Sequence, residues 1–399
     1  MVQLPPVRNL PLYQVHLPQD AERVIAAVLH SRQIAGGRNV ARFESLLQAY
    51  LGNPRLTATN DAASSLALSL YLGGVRPDDE VLASPMACLA TNQPVLNLFA
   101  RIRWCDIDPQ TGNLDPDDVR RRITPRTKAL LAFHWAGNPC DLEALYEIAR
   151  EHELAVVEDA SEALGAEYAS RKLGNTGADF TVFSFYPNRH ITTLEGGAIA
   201  FASDEHYEHG RWLKRYGIHQ PSFRDADGEI NPHSDIPVAG WNIAMHEVSA
   251  ALGIAQLECL PDILARHQAN GTFYDRALAD LSGIRLLERP EHARPAFWVY
   301  TFLAQDRDGL LRQLRRRGIQ ASKVHLRNDL YSCFGRPAAD LPGVDHFQSH
   351  TLSIPCGWWV NEEDRQYVVD CIQDACSHAA RSSHFHLRSG VIRRARDAA

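Results

Sequence analysis

Apolar residues recur at helical spacing at the start of the chain. Within residues 20–52, Val24, Ile25, Val28 and Leu29 fall on one face. A Gly36-Gly37 turn follows, then a second helix carrying Phe43, Leu46 and Leu47. From residue 56 the pattern changes to short apolar runs that alternate with amphipathic stretches. Leu130 to Phe133 reads as a strand. Asp141 stands where it can cap a helix whose apolar face is Leu142, Leu145, Ile148 and Ala149. Leu154 to Val157 is the next strand and runs into Glu158-Asp159, so this stretch is a βαβ unit with parallel strands. Phe180 to Phe185 and Gly197 to Phe201 read as further strands. The expected fold class is α/β, with a mostly parallel, mixed sheet between helices in a large domain over residues 1–255.

A smaller α+β domain is expected over 256–378. It would open on a helix over about 256–282 and continue with a strand from Trp298 to Ala304 and a helix from Leu310 to Arg317 stopped by Gly318. Asn361 and Asp364 have capping-box spacing before a last helix whose apolar face is Val368, Cys371 and Ile372. Residues 379–399 contain HFHLRSGVIRRAR and cannot form a core. They read as a disordered tail rather than a basic docking arm or a His384/His386 metal pair. The Arg315–Arg317 run reads as a solvated helix end.

Composition narrows the class. Hydrophobic residues make up 45% of the 399, an ordinary globular share. No uninterrupted apolar run nears the roughly 20 residues that a membrane span needs. The N-terminus lacks a charged leader with an apolar core behind it. The eight cysteines are scattered without a C-x-x-C pair, so they read as reduced thiols rather than metal ligands, and the expected location is cytoplasmic. A net charge of −7 argues against general nucleic-acid binding.

Chemistry is expected at the carboxyl ends of the strands, where open α/β sheets bind ligands. Two polar stretches end strands there, VVEDASEALGAEY at 156–168 and FSFYPNRHITTLEGGAIAF at 183–201. Taken alone, Asp159 reads as a cap of the following helix. The alternative is a buried carboxylate that pairs with a cationic ring nitrogen.

The order of several stretches decides between these readings. GGRNVARFESLLQAYLG (36–52), DDEVLASPMACLATN (78–92), WCDIDPQTGNLDPDDV (104–119), EDASEALGA (158–166), SFYPNRHITTLEGG (184–197) and GWNIAMHEVSAALGIAQLE (240–258) follow one another, with SIPCGWW (353–359) behind them. Together they resemble the DegT-type family of sugar aminotransferases over about residues 10–375. That resemblance implies the aspartate-aminotransferase fold and pyridoxal phosphate, or its amine form pyridoxamine phosphate, as cofactor. It places Asp159 on the pyridine nitrogen, where a carboxylate keeps the ring an electron sink. It places Cys88 against the ring face, where family members often have an aromatic residue, and Glu162 where they have glutamine or histidine. Ser184 would bind the phosphate, and Asn242 would reach it from a second subunit, which implies a homodimer with shared sites.

The same resemblance exposes three departures. The family's catalytic lysine falls in S-F-x-P-x-K, and here that position is Arg189. The lysine binds the cofactor covalently and moves a proton, both as a neutral amine, whereas arginine stays charged. Loss of such a base costs roughly 10²–10⁴ in rate. The phosphate-cradling helix opens with Ala62-Ala63 instead of Gly-Thr. Asp61 stands beside it to repel a phosphate, and Ser64 or Ser65 is the candidate replacement hydroxyl. Leu194 stands where glycine is common. Three changes in one presumed pocket favour natural divergence. A dehydratase branch of the family has histidine in place of the lysine, and His190, one residue later, is the nearby titratable candidate.

Three functions follow from these residues. The first is transamination of a nucleotide-linked keto-sugar with an amino-acid donor. The second is lysine-free sugar chemistry with pyridoxamine phosphate, and the third is a non-catalytic binding or regulatory homologue in which cofactor binding is weakened or lost. The polar loop from Pro221 to Pro237 reads equally as a substrate lid and as a surface excursion.

Overall fold

A computed structural model of the chain describes residues 8–335 and 340–377. The expected tail at 379–399, with His384 and His386, lies outside the described residues. Helices α1 (Ala21–Ser31) and α2 (Arg38–Leu51) come first. Phe43 and Leu47 are buried, as their spacing requires, but Leu29 is 56% exposed. The four-residue apolar face expected on α1 thus contributes Val28 to the core and leaves Leu29 in the open.

The seven-stranded sheet has the order β1-β9-β8-β5-β4-β2-β3. Its strands are β1 (Leu56–Thr59), β2 (Glu80–Ala83), β3 (Arg101–Trp104), β4 (Thr127–Phe133), β5 (Ala155–Asp159), β8 (Phe180–Ser184) and β9 (Gly197–Phe201). The short β6 (Glu167–Tyr168) and β7 (Arg171–Lys172) form a separate ribbon with Ala293–Arg294. Within the large sheet β3, β2, β4, β5 and β8 pair in parallel, and β9 runs antiparallel to both β8 and β1. Six of the seven strands therefore point the same way, and their carboxyl ends share one edge.

Both faces of this sheet are covered. Phe43, Leu47, Leu130, Val156 and Leu264 belong to one apolar cluster, and Leu66, Leu70, Val81, Val157 and Phe180 to another. Side chains alternate across a strand, so neighbours such as Val156 and Val157 enter opposite clusters.

The long helix begins at Glu247, nine residues before the expected start, and runs to Leu278. Its N-cap, His246, makes no side-chain capping bond, so that end carries no capping signal to read. One 18-residue window has mean hydropathy 1.4 and is half buried in the fold, and the helix packs on α1 and α2. Beyond it an antiparallel sheet joins Ile284–Leu286, Tyr300–Ala304 and Thr351–Ile354. The last helix covers 362–377. Asn361 Oδ1 accepts the Asp364 N–H at 2.9 Å, and Asp364 Oδ2 accepts the Asn361 N–H at 3.3 Å, the reciprocal box expected from the sequence.

Candidate active site

The common edge gathers chemistry from distant parts of the chain. Beyond β1 come Asn60, Asp61 and the first turn of α3 (Ala62–Leu72). Cys88 follows β2, Asp159 ends β5, and Ser184 ends β8. All of these line one cleft of about 900 Å³, together with Ala62, Ala63 and Arg189.

Asp159 is 1% exposed. Its Oδ2 accepts from the Thr91 hydroxyl at 2.6 Å and its Oδ1 from the Ser161 N–H at 2.9 Å. Both donors are neutral, so the carboxylate presents uncompensated negative charge to the cleft. Burial pushes the nearby Cys88 thiol above its ordinary pKa, which keeps it a neutral, polarisable wall.

At the other end, α3 points its N-terminus into the cleft. The first N–H groups of a helix have no intrahelical acceptors, which leaves those of Ala62 and Ala63 available to a ligand. Asp61 is the N-cap. Its Oδ1 accepts the Ser64 N–H at 2.7 Å and its Oδ2 the Ser64 hydroxyl at 2.6 Å. This corrects the expectation for Ser64. Its hydroxyl is committed to Asp61 and does not line the cleft. Ser65 is no substitute either, being buried between Thr59 Oγ1 at 2.5 Å and the Asp61 carbonyl at 3.0 Å. Glu195 lines the same region, and burial together with the charge of Asp61 raises its pKa. Of the residues foreseen for a phosphate, the Ser184 hydroxyl and the two α3 amides therefore face the cleft. Close packing holds this end in shape. A Cβ added at Gly197 would stand 2.6 Å from the Asp61 carbonyl oxygen, so β9 can begin there only with glycine.

Leu194 has φ +72° and is 49% exposed. A left-handed backbone disfavours leucine by about 1–2 kcal/mol, part of which glycine returns as unfolded-state entropy. Leu194→Gly is expected to raise stability by up to about 1 kcal/mol, read as a higher urea midpoint. A lower midpoint would show that the leucine side chain contributes more than its backbone strain removes.

Arg189 reaches the cleft wall with 10% of its side chain exposed. Its Nη1 lies 3.3 Å from Glu162 Oε1, and its guanidinium stands over the Trp298 ring at 4.6 Å. Its Nε is buried without a partner, as are Asn188 Oδ1 beside it and Asn60 Oδ1 near the start of α3. Glu162 is 1% exposed and sits behind the wall. Its Oε2 accepts the Ala136 N–H at 2.9 Å, and its Oε1 also meets His325 Nε2 at 2.9 Å. Tyr13 stacks on Trp298 at 4.8 Å. Burial, then the charge of Glu162, pushes the Tyr13 hydroxyl far above its usual pKa.

His190 is a second correction. It is 2% exposed and does not line the cleft. Its Nε2 meets the Ala296 carbonyl at 3.1 Å, and its ring lies 4.7 Å from that of His267. Burial, reinforced by His267, drives its pKa well below the ordinary value. It is a core histidine, brought inward because it stands next in sequence to the outward-facing Arg189. Asn242 is exposed, and its own chain does not bring it to this cleft. The 221–237 loop contributes no lining residue either. Sequence reading missed His325, Trp298 and Tyr13, which lie in no motif, and Thr91, which lies within the 78–92 stretch but was given no role there; all four meet the site only through folding.

The chain has four lysines, Lys128, Lys172, Lys214 and Lys323, and none of them lines the cleft. Lys214 is paired with Glu44 at 3.0 Å.

Comparison with known proteins fits this architecture. The sugar aminotransferase CalS13 from Micromonospora echinospora superposes with a TM-score of 0.87 at 35% identity, covering 92% of this chain and 99% of that one. GDP-perosamine synthase from Caulobacter vibrioides is 34% identical over 331 residues, 80% of this chain and 83% of the relative. The dTDP-3-amino-3,4,6-trideoxy-alpha-D-glucose transaminase of Streptomyces venezuelae is 30% identical over 375 residues, 92% of this chain and 95% of the relative. A sequence profile of one family, whose aminotransferases use pyridoxal phosphate, matches residues 17–373. The chain belongs to the DegT/DnrJ/EryC1/StrS aminotransferase family.

Proposed function

We propose that this chain acts on a nucleotide-linked keto-sugar in a cleft that holds pyridoxamine phosphate without a covalent bond, and that it lacks the lysine-dependent transamination of its relatives. The observation that carries this reading is the state of Arg189. It is ion-paired with buried Glu162, stacked on Trp298, and accompanied by no lysine in the cleft lining. A guanidinium stays protonated at every physiological pH, so it neither bonds to an aldehyde nor accepts a proton.

The remaining residues fit the cofactor's amine form. Asp159, held by neutral donors, suits a protonated ring nitrogen. Ser184 and the Ala62 and Ala63 amides suit a phosphate, while Asp61 and Glu195 weaken that end. Cys88 would lie against the ring. When bound, the cofactor supplies an electron sink next to the substrate. The chain's own residues orient it and present Arg189 as a fixed donor to a ligand carbonyl, carboxylate or phosphate. Asn242, exposed on its own chain, would complete the phosphate site of a second copy, so the proposed working unit is a homodimer. The uncompensated charge of Asp159 favours this reading over a non-catalytic homologue that has lost the cofactor, because a buried carboxylate without a cationic partner is unfavourable unless a ligand supplies one.

The test is a titration of pyridoxamine phosphate followed by tryptophan fluorescence, since Trp298 lines the cleft. Saturable binding that weakens by about 30-fold or more in Asp159→Asn is expected, from a lost buried charge pair of roughly 2 kcal/mol or more. Failure of the protein to bind either cofactor form would defeat this reading of the cleft.

A further inference from the structure

We propose that His325 is the acid–base group of this cleft and Arg189 the fixed cation beside it, and that together they exchange the proton on the carbon next to the carbonyl of a nucleotide-linked keto-sugar. The proposal rests on the ligand class read above and needs no cofactor.

His325 lines the cleft with 13% of its side chain exposed. Its Nε2 lies 2.9 Å from Glu162 Oε1. Phe133 and Trp135 make T-shaped contacts with the ring, their centroids 5.8 and 5.5 Å from its own, and Trp298 lies parallel to it with centroids 6.4 Å apart. Three aromatic side chains and one carboxylate thus fix the imidazole. A proton on Nε2 donates to Glu162, which leaves Nδ1 as the nitrogen with a free lone pair. A base needs this arrangement, an imidazole held in one tautomer and orientation by a buried carboxylate.

The same Glu162 oxygen holds Arg189 Nη1 at 3.3 Å. Base and cation are therefore neighbours on one buried oxygen, itself kept in place because Glu162 Oε2 accepts the Ala136 N–H. Of the guanidinium nitrogens only Nη1 is hydrogen-bonded among the described residues, and Nη2, which unlike Nε is not enclosed, has donor capacity to spare. In the step, the C–H bond beside the carbonyl breaks. Its proton passes to His325 Nδ1, and the electron pair moves to the carbonyl oxygen, where Arg189 stabilises the negative charge. The return of a proton from Nδ1 to the same carbon restores the ketone. The charge summed over His325, Glu162, Arg189 and the ligand does not change, so no uncompensated charge is created in the buried wall.

The experiment uses the full chain without added cofactor and thymidine-diphosphate 4-keto-6-deoxyglucose in D₂O. Proton NMR follows loss of the ring protons flanking the carbonyl, and calorimetry follows binding in parallel. Exchange about 10²-fold or more above buffer is expected. His325→Gln keeps a donor for Glu162 and should still bind the sugar nucleotide, but it should lose that factor. In His325→Ala, added imidazole should restore part of it, a rescue that a merely structural histidine would not permit. Binding with exchange at the buffer rate overturns the acid–base role and leaves the ligand reading intact. Full exchange in His325→Gln overturns it as well, and absence of binding defeats both.

Discussion

Arg189→Lys made together with Glu162→Gln is expected to give a protein that bonds covalently to pyridoxal phosphate, while Arg189→Lys alone should do so poorly at neutral pH. The reason lies in the wall behind residue 189. Glu162 is 1% exposed and its Oε1 stands 3.3 Å from the Arg189 guanidinium. A lysine placed there would meet the same carboxylate. An opposite charge within about 4–6 Å shifts a pKa by roughly 1–3 units in favour of the charged form. The neutral amine that must attack an aldehyde would then be scarcer by about 10–10³-fold at a given pH. Glutamine at 162 removes the charge and can still accept the Ala136 N–H, the bond that now orients the side chain. Absorbance of the bound cofactor against pH separates the variants. The double variant should form its linkage at least about one pH unit lower than the single one. Equal pH dependence would mean that Glu162 does not control residue 189.

Glu162→Ala is expected to destabilise the fold by about 3–5 kcal/mol, because it leaves a buried cation without its counter-charge. The Arg189 side chain is only 10% exposed, so water cannot take over the carboxylate's role. His325 loses its partner in the same change, and the Ala136 N–H loses its acceptor. Urea unfolding reads the effect as a large fall in midpoint with an unchanged slope. Adding Arg189→Gln to Glu162→Ala should recover part of the loss, since the orphaned charge is then gone. If Glu162→Ala changes the midpoint by no more than a surface substitution does, the ion pair is not the structural unit described here.

Much of the architecture was legible because it depends on local rules. The alternation of apolar strands with amphipathic helices reports parallel strands, and parallel strands place Asp159, Cys88 and Ser184 at one edge. The Asn361–Asp364 box is likewise a local matter and was readable. The site's electrostatics depend on contacts between residues far apart in sequence. Nothing around residue 325 signals that His325 meets Glu162, 163 positions away. Periodicity tells which face of an element is apolar, not what that face will touch. His190 was misplaced for this reason, since adjacent residues in an irregular turn can face opposite ways. Ser64 was misplaced because the cap residue, Asp61, claimed its hydroxyl. Arg189 was visible as a departure and Glu162 as the residue standing where the family has glutamine or histidine, 27 positions apart, but only the fold shows that one answers the other.

What most sets this cleft apart is the absence, among the described residues, of a lysine to hold the cofactor. Its direct test is to mix the unaltered protein with pyridoxal phosphate, reduce with borohydride, and analyse the digested chain by mass spectrometry. The peptide spanning Ser184 to Gly197 should carry no reduced cofactor, and no linkage should survive denaturation from within the cleft. A cofactor fixed to that peptide would contradict the account.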